Sequence, residues 1–372
     1  MITFILTDEQ KELRSMARRF FESRSPESEV RRLMDTDAGF DPDVWEMLSG
    51  ELGLAGLIIP EEHGGSGASA TELGIVLEEA GRALLCAPLL SSAVLAAQTL
   101  LESNDAAAQR EFLPRLATGR CRGALAVTEE PGSWDPAAVS VTAMRSGDEW
   151  VVSGTKSYVL DGHTAQLLIV SARTGDQVSL LLVDADAQGV AREVLPTMDQ
   201  TRKQARITFH DVSGRLLGSE GAAPEVLDRV FRFAAAALAA EQVGGAQRVL
   251  EMAVDHAKAR VQFGRTIGSF QAIKHRCADL LVEVESARSA AYFALACFAS
   301  ASENFVDAAH VAKAYCSDAF TRAAAENIQI HGGIGFTWEH PAHLYLKRAK
   351  ASGQLLGSPA HHRDRLGRTL GI

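Results

Sequence analysis

The feature that most constrains the fold is a change in hydrophobic periodicity along the chain. Within residues 1–121, and again from Pro224 onward, apolar residues recur at intervals of three and four, which is typical of helices that bury one face. Between Gly123 and Leu217 they form short runs separated by turn dipeptides such as Ser146-Gly147. Short strands at this spacing predict a small antiparallel sandwich or barrel. We therefore predict an α+β protein with a β block between two helical blocks.

Local signals place the boundaries of these blocks. Thr7 and Gln10 form a capping box that opens the first predicted helix. The predicted strands are Ala124–Thr128, Val139–Ala143, Trp150–Ser153, Leu167–Ser171, Ser179–Val183 and Ile207–Phe209. The longest predicted helices are Val226–Arg260, Gln271–Ala301 and Val306–Ile330. We predict an N-terminal helical domain (1–121), a central β domain (122–223) and a C-terminal helical domain (224–372).

Composition excludes several classes of function. The 372 residues include 37 Lys and Arg against 47 Asp and Glu, and a net charge of −10 disfavours a nucleic-acid partner. The apolar stretches, such as Phe233–Ala240, are too short to cross a bilayer, so we expect no membrane association. The five cysteines include no CxxC pair, which is typical of reduced thiols and predicts no metal site. We expect a cytoplasmic protein.

The segment Gly65–Ala70 satisfies the G-x-G-x-x-A pattern of dinucleotide-binding loops. In a Rossmann fold, a second parallel strand that ends in an acidic residue follows about 20 residues later. The sequence after Gly65–Ala70 predicts a helix and no such strand. We therefore interpret this segment as a tight loop, and a Rossmann dehydrogenase is disfavoured.

Other segments combine residue types that suit a flat, phosphorylated cofactor. Thr128–Asp135 and Tyr158 place hydroxyl and aromatic side chains at predicted strand ends, where they can hold a heteroaromatic ring. Gln329–Gly335 ends a helix with three glycines in four positions, more than a C-cap needs, which indicates close approach by a ligand or another chain. Arg260 and Arg265 offer two guanidinium groups for a pyrophosphate, and the alternative is a solvated charge pair.

Seven segments, in their order and spacing, resemble the acyl-CoA dehydrogenase family of flavoproteins over almost the whole chain. They are Pro60–Gly65, Thr128–Ser133, Gly154–Tyr158, Phe209–Val212, Arg260–Arg265, Ala312–Tyr315 and Gln329–Phe336. The resemblance implies an N-terminal helical domain, a central antiparallel β domain and a C-terminal four-helix bundle. It also implies FAD between the β and C-terminal domains, with an acyl-CoA thioester against the flavin.

The implied reaction removes a proton from Cα and a hydride from Cβ of the thioester, which gives the trans-2-enoyl-CoA. FAD accepts the hydride, and the protein supplies alignment and electrostatics. The resemblance further implies that an electron-transfer flavoprotein accepts the electrons from the reduced enzyme. The chain is accordingly predicted to be an oxidoreductase that acts on CH–CH groups.

The resemblance assigns two groups of cofactor-binding residues. Those expected to border the isoalloxazine ring are Val127, Thr128, Ser133, Tyr158 and Leu160. The family usually has Trp at position 158 and Thr at position 160, so one flavin hydrogen bond is expected to be missing. Those expected to reach the adenylate half of FAD on a neighbouring subunit are Arg260, Phe263, Gln271, Gln329, Gly332 and Gly333. This arrangement implies a dimer or tetramer.

The catalytic base is missing from both positions that the family uses. In this sequence those positions hold Leu356 and Ala234, and neither side chain can take a proton. The N–H of Leu356 is expected to bind the thioester oxygen. Glu241 lies seven residues after Ala234, on the same helix face two turns later, in an otherwise apolar stretch. We predict that Glu241 is a displaced base, and the alternative is a structural carboxylate that is buried in an ion pair, lies at the floor of a pocket or lies at a subunit contact.

The same absence suggests a second function. Some family members form mixed tetramers in which one subunit carries the base and the other supports the fold, so this chain is alternatively a non-catalytic, FAD-supporting subunit.

Ala234 and Leu356 would leave extra room near Cα, which suggests a branched or cyclic acyl group, such as a steroid-derived one. Phe231 and Arg232 are candidate contacts to the substrate, and Arg232 is alternatively a solvated surface charge.

Overall fold

The computed structural model describes residues 6–147 and 149–372 and divides into two compact units. The unit that we call the helical unit comprises Met1–Arg31, Ala70–Leu85 and Ala235–Ile372. The second, which we call the β unit, comprises Arg32–Ser69 and Cys86–Ala234. Each unit therefore combines segments that lie far apart in the sequence.

The predicted alternation of helices, strands and helices is confirmed. In chain order the helices are α1 (Asp8–Arg24), α2 (Glu27–Met34), α3 (Pro42–Glu46), α4 (Ala70–Arg82), α5 (Ala97–Glu102), α6 (Ala106–Ala117), α7 (Ala223–Ala259), α8 (Gln271–Ala299), α9 (Phe305–His331), α10 (Ala342–Gln354) and α11 (Pro359–Thr369). Thr7 and Gln10 form the predicted capping box at the start of α1, and Asp41 caps α3. Within residues 6–147 and 149–372, no helix combines the length and hydrophobicity that a membrane span requires.

The β unit contains one mainly antiparallel sheet, as predicted for the central domain. Its strands are β1 (Gly123–Ala126), β2 (Thr142–Ser146), β3 (Glu149–Leu160), β4 (Leu167–Thr174), β5 (Gln177–Asp184), β6 (Val190–Val194) and β7 (Gln204–Leu217). Successive pairings of β4, β2, β3, β7 and β5 return to β4, so they close a ring. β1 runs parallel to β4, and β6 runs antiparallel to β7 on the side of this ring.

Two strand predictions need correction. The second strand begins at Thr142 and not at Val139, because the N–H groups of Ser140 and Val141 donate to the carboxylate of Glu129 and not to a neighbouring strand. Strand β6 was not predicted, since its short sequence has charged residues between its two valines. Both errors arise where side-chain chemistry or strand pairing, and not hydrophobic periodicity, determines the backbone.

Helices α4 and α7 approach each other through glycines within the helical unit. A Cβ added at Gly81 would lie 2.0 Å from the carbonyl oxygen of Glu241, and one added at Gly244 would lie 1.7 Å from that of Glu78. Any larger residue would force the helices apart, because a packed interior does not absorb an extra carbon without strain. The backbone of Glu241 is therefore fixed at a tight helix crossing.

Candidate active site

Two segments predicted to border a flavin are joined in the β unit. Thr128 follows β1, and Ser157 lies within β3. The Thr128 hydroxyl donates to the Ser157 carbonyl oxygen at 2.5 Å, and the Ser157 N–H donates to the Thr128 carbonyl oxygen at 2.9 Å. These reciprocal bonds place Val127, Thr128 and Tyr158 in neighbouring backbone segments.

A buried ion pair between Lys156 and Glu129 contacts this junction. The Lys156 ammonium lies 2.8 Å from a carboxylate oxygen of Glu129 and also donates to the Val127 carbonyl oxygen at 3.0 Å and to the Ser171 hydroxyl at 3.1 Å. Burial lowers the pKa of Lys156 to about 8, although Glu129 opposes this shift. Burial would raise the pKa of Glu129, but hydrogen bonds from Lys156, Ser140 and the Val141 N–H outweigh it and lower the pKa to about 2. The pair is ionised at neutral pH.

The backbone at this junction offers donors suited to a flavin. Among the described residues, the N–H groups of Val127 and Thr128 find no acceptor, although both residues are only 3% exposed. Buried N–H groups without partners are rare in folded proteins, and they commonly indicate a ligand site. The pyrimidine ring of a flavin carries carbonyl oxygens and ring nitrogens that accept such bonds. The residues present therefore fit the isoalloxazine ring.

The other predicted flavin-bordering residues differ in what they offer. Tyr158 adopts a left-handed conformation with φ of 59°, and its hydroxyl donates to the Glu130 carbonyl oxygen at 3.4 Å. The Ser133 hydroxyl accepts from the Asp135 N–H at 3.1 Å. Leu160 is buried and supplies only apolar contact. All of the predicted isoalloxazine residues thus belong to the β unit.

The residues predicted to reach a neighbouring subunit's cofactor lie at one end of the helical unit. Ala257 at the end of α7, Ile273 at the start of α8 and Ile330 at the end of α9 belong to one apolar cluster, which brings these helix ends together. Arg260, Gln271, Gln329, Gly332 and Gly333 are exposed around this end, and Phe263 is 91% exposed. A side chain at Gly333 would meet no atom of the described chain within 4 Å. Packing within this chain therefore gives no reason for a glycine there.

Glu241, the predicted base, is buried in an ion pair. Its carboxylate accepts from the Arg348 guanidinium of α10 at 3.1 Å, and the two residues are 5% and 2% exposed. Arg348 also donates to the Leu85 carbonyl oxygen at 3.5 Å. This geometry agrees with the structural alternative for Glu241. Arg348 itself was not identified from the sequence.

Leu356 and Ala234 stand at the two positions that the resemblance assigns to the family's base. Leu356 lies in the turn between α10 and α11, is 4% exposed and has a left-handed φ of 61°. Its N–H donates to no atom in the part of the chain that the structure describes. Ala234 is fully buried in α7. The turn at Leu356 therefore presents a backbone donor and no titratable side chain.

The candidate substrate contacts lie on the first part of α7. The Phe231 ring packs edge-on against the Trp134 ring, with centroids 5.5 Å apart. Arg232 donates to the carbonyl oxygen and the carboxylate of Asp228, one turn earlier on the same helix. Arg232 is therefore engaged in an ion pair in this structure.

Comparison with known proteins places the chain in a family. Models of the N-terminal, middle and C-terminal domains of acyl-CoA dehydrogenases match residues 7–120, 124–212 and 225–371. The acyl-CoA dehydrogenase IpdE2 of Mycobacterium tuberculosis is 39% identical over 352 residues, which cover 95% of this chain and 94% of the relative. The chain belongs to the acyl-CoA dehydrogenase family. It is an oxidoreductase and an FAD-binding flavoprotein, as the sequence motifs predict.

Solved acyl-CoA dehydrogenases have the same fold. Butyryl-CoA dehydrogenase from Megasphaera elsdenii has a TM-score of 0.94 at 25% identity, with both chains fully covered at 100%. A variant of the Tcur3481-Tcur3483 steroid acyl-CoA dehydrogenase has a TM-score of 0.89 at 33% identity, with 98% of each chain covered. The ChsE4-ChsE5 complex from Mycobacterium tuberculosis has a TM-score of 0.90 at 26% identity, covering 100% of this chain and 99% of its own. The predicted fold is confirmed, and the roles of individual residues stay predictions.

We expect the Lys156→Met variant to lose stability. The substitution leaves Glu129 buried without its ammonium partner, which typically costs about 3–5 kcal/mol in the free energy of unfolding. The double variant Lys156→Met/Glu129→Gln should recover much of this loss. As a control, Arg206→Gln breaks an exposed pair with Glu130 and should cost less than about 1 kcal/mol. Urea unfolding measures these differences, and a Lys156→Met variant as stable as the control would contradict the assignment.

We expect the Glu129 carboxylate to contribute to acid stability. Its pKa is about 2 in the folded chain, against an ordinary value of 4.5, so the folded state binds the proton more weakly. The stabilisation is complete above pH 4.5 and is lost as the pH falls from 4.5 to about 2. The Glu129→Gln variant should lose stability at neutral pH and show a shallower decline over this window. A decline as steep as that of the unmodified protein would contradict this prediction.

Proposed function

We propose that the chain takes part in FAD-dependent α,β-dehydrogenation of an acyl-CoA thioester to the trans-2-enoyl-CoA. The observation that carries the proposal is the buried Leu356 N–H, which has no acceptor in the described chain. The resemblance to the family assigns this N–H to the thioester oxygen. The family match over residues 7–120, 124–212 and 225–371 supports the same reaction.

The proposed role of the chain's residues follows from where charge develops. Loss of the α-proton moves negative charge onto the thioester oxygen, and a fixed N–H at Leu356 stabilises that charge without reorganisation. When bound, FAD supplies the acceptor for the β-hydride. The N–H groups of Val127 and Thr128 would hold the pyrimidine end of the ring, and buried Leu160 would supply apolar contact.

Proton abstraction needs a carboxylate that faces the substrate in a dry environment. Glu241 is the base that we propose within this chain, and it must turn from Arg348 toward the substrate to act. The Glu241–Arg348 pair favours a second candidate function, in which this chain binds FAD and a different partner chain supplies the base. The ChsE4-ChsE5 complex, a structural neighbour, consists of two differently named proteins and supports that arrangement.

We propose a branched or cyclic acyl group, such as a steroid-derived one, as the substrate. Ala234 is smaller than the carboxylate residue that the resemblance assigns to its position, which would leave room beside Cα. The structural neighbour described as a steroid acyl-CoA dehydrogenase supports this class at 33% identity. Phe231 and Arg232 remain proposed contacts for the substrate.

The proposed assembly is a dimer or tetramer of identical or different chains in the cytoplasm. The adenylate half of FAD on the neighbouring subunit would be contacted by the exposed residues at one end of the helical unit. They are Arg260, Phe263, Gln271, Gln329, Gly332 and Gly333. An electron-transfer flavoprotein is the proposed electron acceptor. One similar chain belongs to a solved structure described as the electron transferring flavoprotein of Acidaminococcus fermentans. It has a TM-score of 0.94 at 27% identity, with 99% of each chain covered, and this likeness supports the proposed electron acceptor.

Anaerobic bleaching tests the reaction. We expect the purified chain, alone or coexpressed with the chain encoded beside it, to be yellow and to lose flavin absorbance when a steroid-derived acyl-CoA is added. Butyryl-CoA should bleach it more slowly if the site favours bulky acyl groups. A yellow assembly that neither acyl-CoA bleaches would contradict the proposed reaction. Bleaching that requires the neighbouring chain would identify the second candidate function.

The Glu241→Gln substitution tests the proposed base. A positioned general base typically contributes about 10²–10⁴-fold to the rate, so the reduction rate per bound flavin should fall by that factor. Glu251→Gln is the matched control, because Glu251 also lies on α7 and also pairs with an arginine, Arg82, at 2.6 Å. An unchanged rate in Glu241→Gln would end the assignment of this residue and leave Glu241 with a structural role.

A further inference from the structure

The turn that carries Leu356 is held under strain. It connects the end of α10 at Gln354 to the start of α11 at Pro359. Leu356 adopts a left-handed backbone conformation, which is unfavourable for a residue with a side chain. Such a conformation persists only where the surrounding contacts determine it. The contacts that hold this turn therefore control the direction of the Leu356 N–H.

Lys313 of α9 donates hydrogen bonds to the turn on both sides of Leu356. Its ammonium donates to the carbonyl oxygens of Gly353 at 3.4 Å and Gly357 at 3.2 Å, and to the Ser317 hydroxyl at 3.1 Å. Lys313 is fully buried, and the hydrogen-bond partners of its nitrogen are the Ser317 hydroxyl and two backbone carbonyls, which are all neutral. Burial lowers the pKa of Lys313 to about 7. Because a buried polar group without hydrogen bonds is costly, these bonds favour the turn conformation that makes them.

His362 of α11 holds the third carbonyl of the turn. Its Nε2 lies 3.0 Å from the Leu356 carbonyl oxygen, and its Nδ1 lies 2.9 Å from Nδ1 of His310 in α9. Burial lowers the pKa of His362 to about 3, so the ring is neutral near pH 7. Because the carbonyl oxygen can only accept, Nε2 carries the proton, and Nδ1 accepts from His310. The Leu356 carbonyl is thereby fixed toward α11.

We propose that Lys313 and His362 are positioning residues that hold the Leu356 N–H toward the thioester oxygen of the bound acyl-CoA. Together they bind the carbonyl oxygens of Gly353, Leu356 and Gly357, which belong to peptides on either side of the Leu355–Leu356 peptide that carries this N–H. A rotation of that peptide which displaced these neighbours would break buried hydrogen bonds. The Leu356 N–H then stays unpaired and available. This inference rests on the proposed function, because it assigns the acceptor of that N–H.

A chain of buried side chains extends this support to α7. The Gln242 amide donates to the Ser317 hydroxyl at 3.0 Å, and Ser317 contacts Lys313. The adjacent residue, Glu241, pairs with Arg348 of α10, the helix that leads into the turn. Helices α7, α9, α10 and α11 are therefore tied to one another around Leu356 by polar contacts.

The decisive experiment uses the flavin-loaded protein, with its partner chain if one is required, and the variants Lys313→Met and Lys350→Met. Lys350 is exposed on α10 and serves as the matched control. Losing one aligned donor to a developing oxyanion typically costs about 10²–10³-fold in rate. We expect Lys313→Met to lower the limiting rate of flavin reduction by about 100-fold, with less than about a tenfold change in the dissociation constant of the acyl-CoA. Flavin content per chain should stay the same.

His362 provides a rescue test. His362→Leu removes the donor to the Leu356 carbonyl and should also slow reduction, whereas His362→Gln keeps an N–H donor and should restore much of the rate. A purely structural role would lower flavin content or thermal stability in both variants and leave the rate per bound flavin unchanged. That result would overturn the proposal.

Deuterium exchange separates this inference from the proposed reaction. Without any substrate, the segment 350–358 should exchange at least about tenfold faster in Lys313→Met than in Lys350→Met, because the hydrogen bonds of Lys313 to the turn are lost. Unchanged exchange would overturn the positioning role whatever the activity. Faster deuterium exchange of this segment in Lys313→Met, in a protein that no acyl-CoA bleaches, would support the hydrogen bonds of Lys313 to the turn and reject the proposed function.

Discussion

The candidate site depends on buried charge that is satisfied by backbone carbonyls. Lys156 in the β unit and Lys313 in the helical unit are both fully buried, and both donate to carbonyl oxygens of segments that precede or follow a predicted ligand contact. Removing an ammonium group from water is unfavourable in free energy. Each hydrogen bond to a carbonyl oxygen offsets part of this desolvation, but only while the loop that carries the carbonyl stays in place. A displaced loop would leave the charge unpaired. The hydrogen bonds of each buried lysine therefore stabilise one conformation of the loop that it contacts.

The two lysines differ in how the charge is balanced. Lys156 has Glu129 at 2.8 Å, and hydrogen bonds from Ser140 and Val141 hold that carboxylate in the ionised form. Lys313 has only neutral hydrogen-bond acceptors, and burial lowers its pKa to about 7. Burial lowers the pKa of both lysines, and Glu129 opposes this shift at Lys156.

Hydrophobic periodicity was sufficient to predict the order of helices and strands and the antiparallel β domain, because burial of one face dominates those elements. It failed at β2 and β6, where Glu129 captures the backbone of Ser140 and Val141 and where strand pairing outweighs polar composition. The motifs identified the loops that we propose for the site. They did not reveal Arg348 or the buried contacts of Lys313, since their partners are distant in sequence, although a lysine inside the otherwise apolar segment Val311–Ala314 is a usable signal.

The strain at Leu356 indicates which part of this residue the site uses. A glycine at this position would adopt a φ of 61° without the cost that leucine pays. The leucine side chain is buried and carries no titratable group, so it offers packing and no acid–base chemistry. What the turn presents is therefore the backbone donor, held by Lys313 and His362. Stabilising charge on the thioester oxygen and removing the α-proton are separable tasks, and we propose that this position serves the first alone.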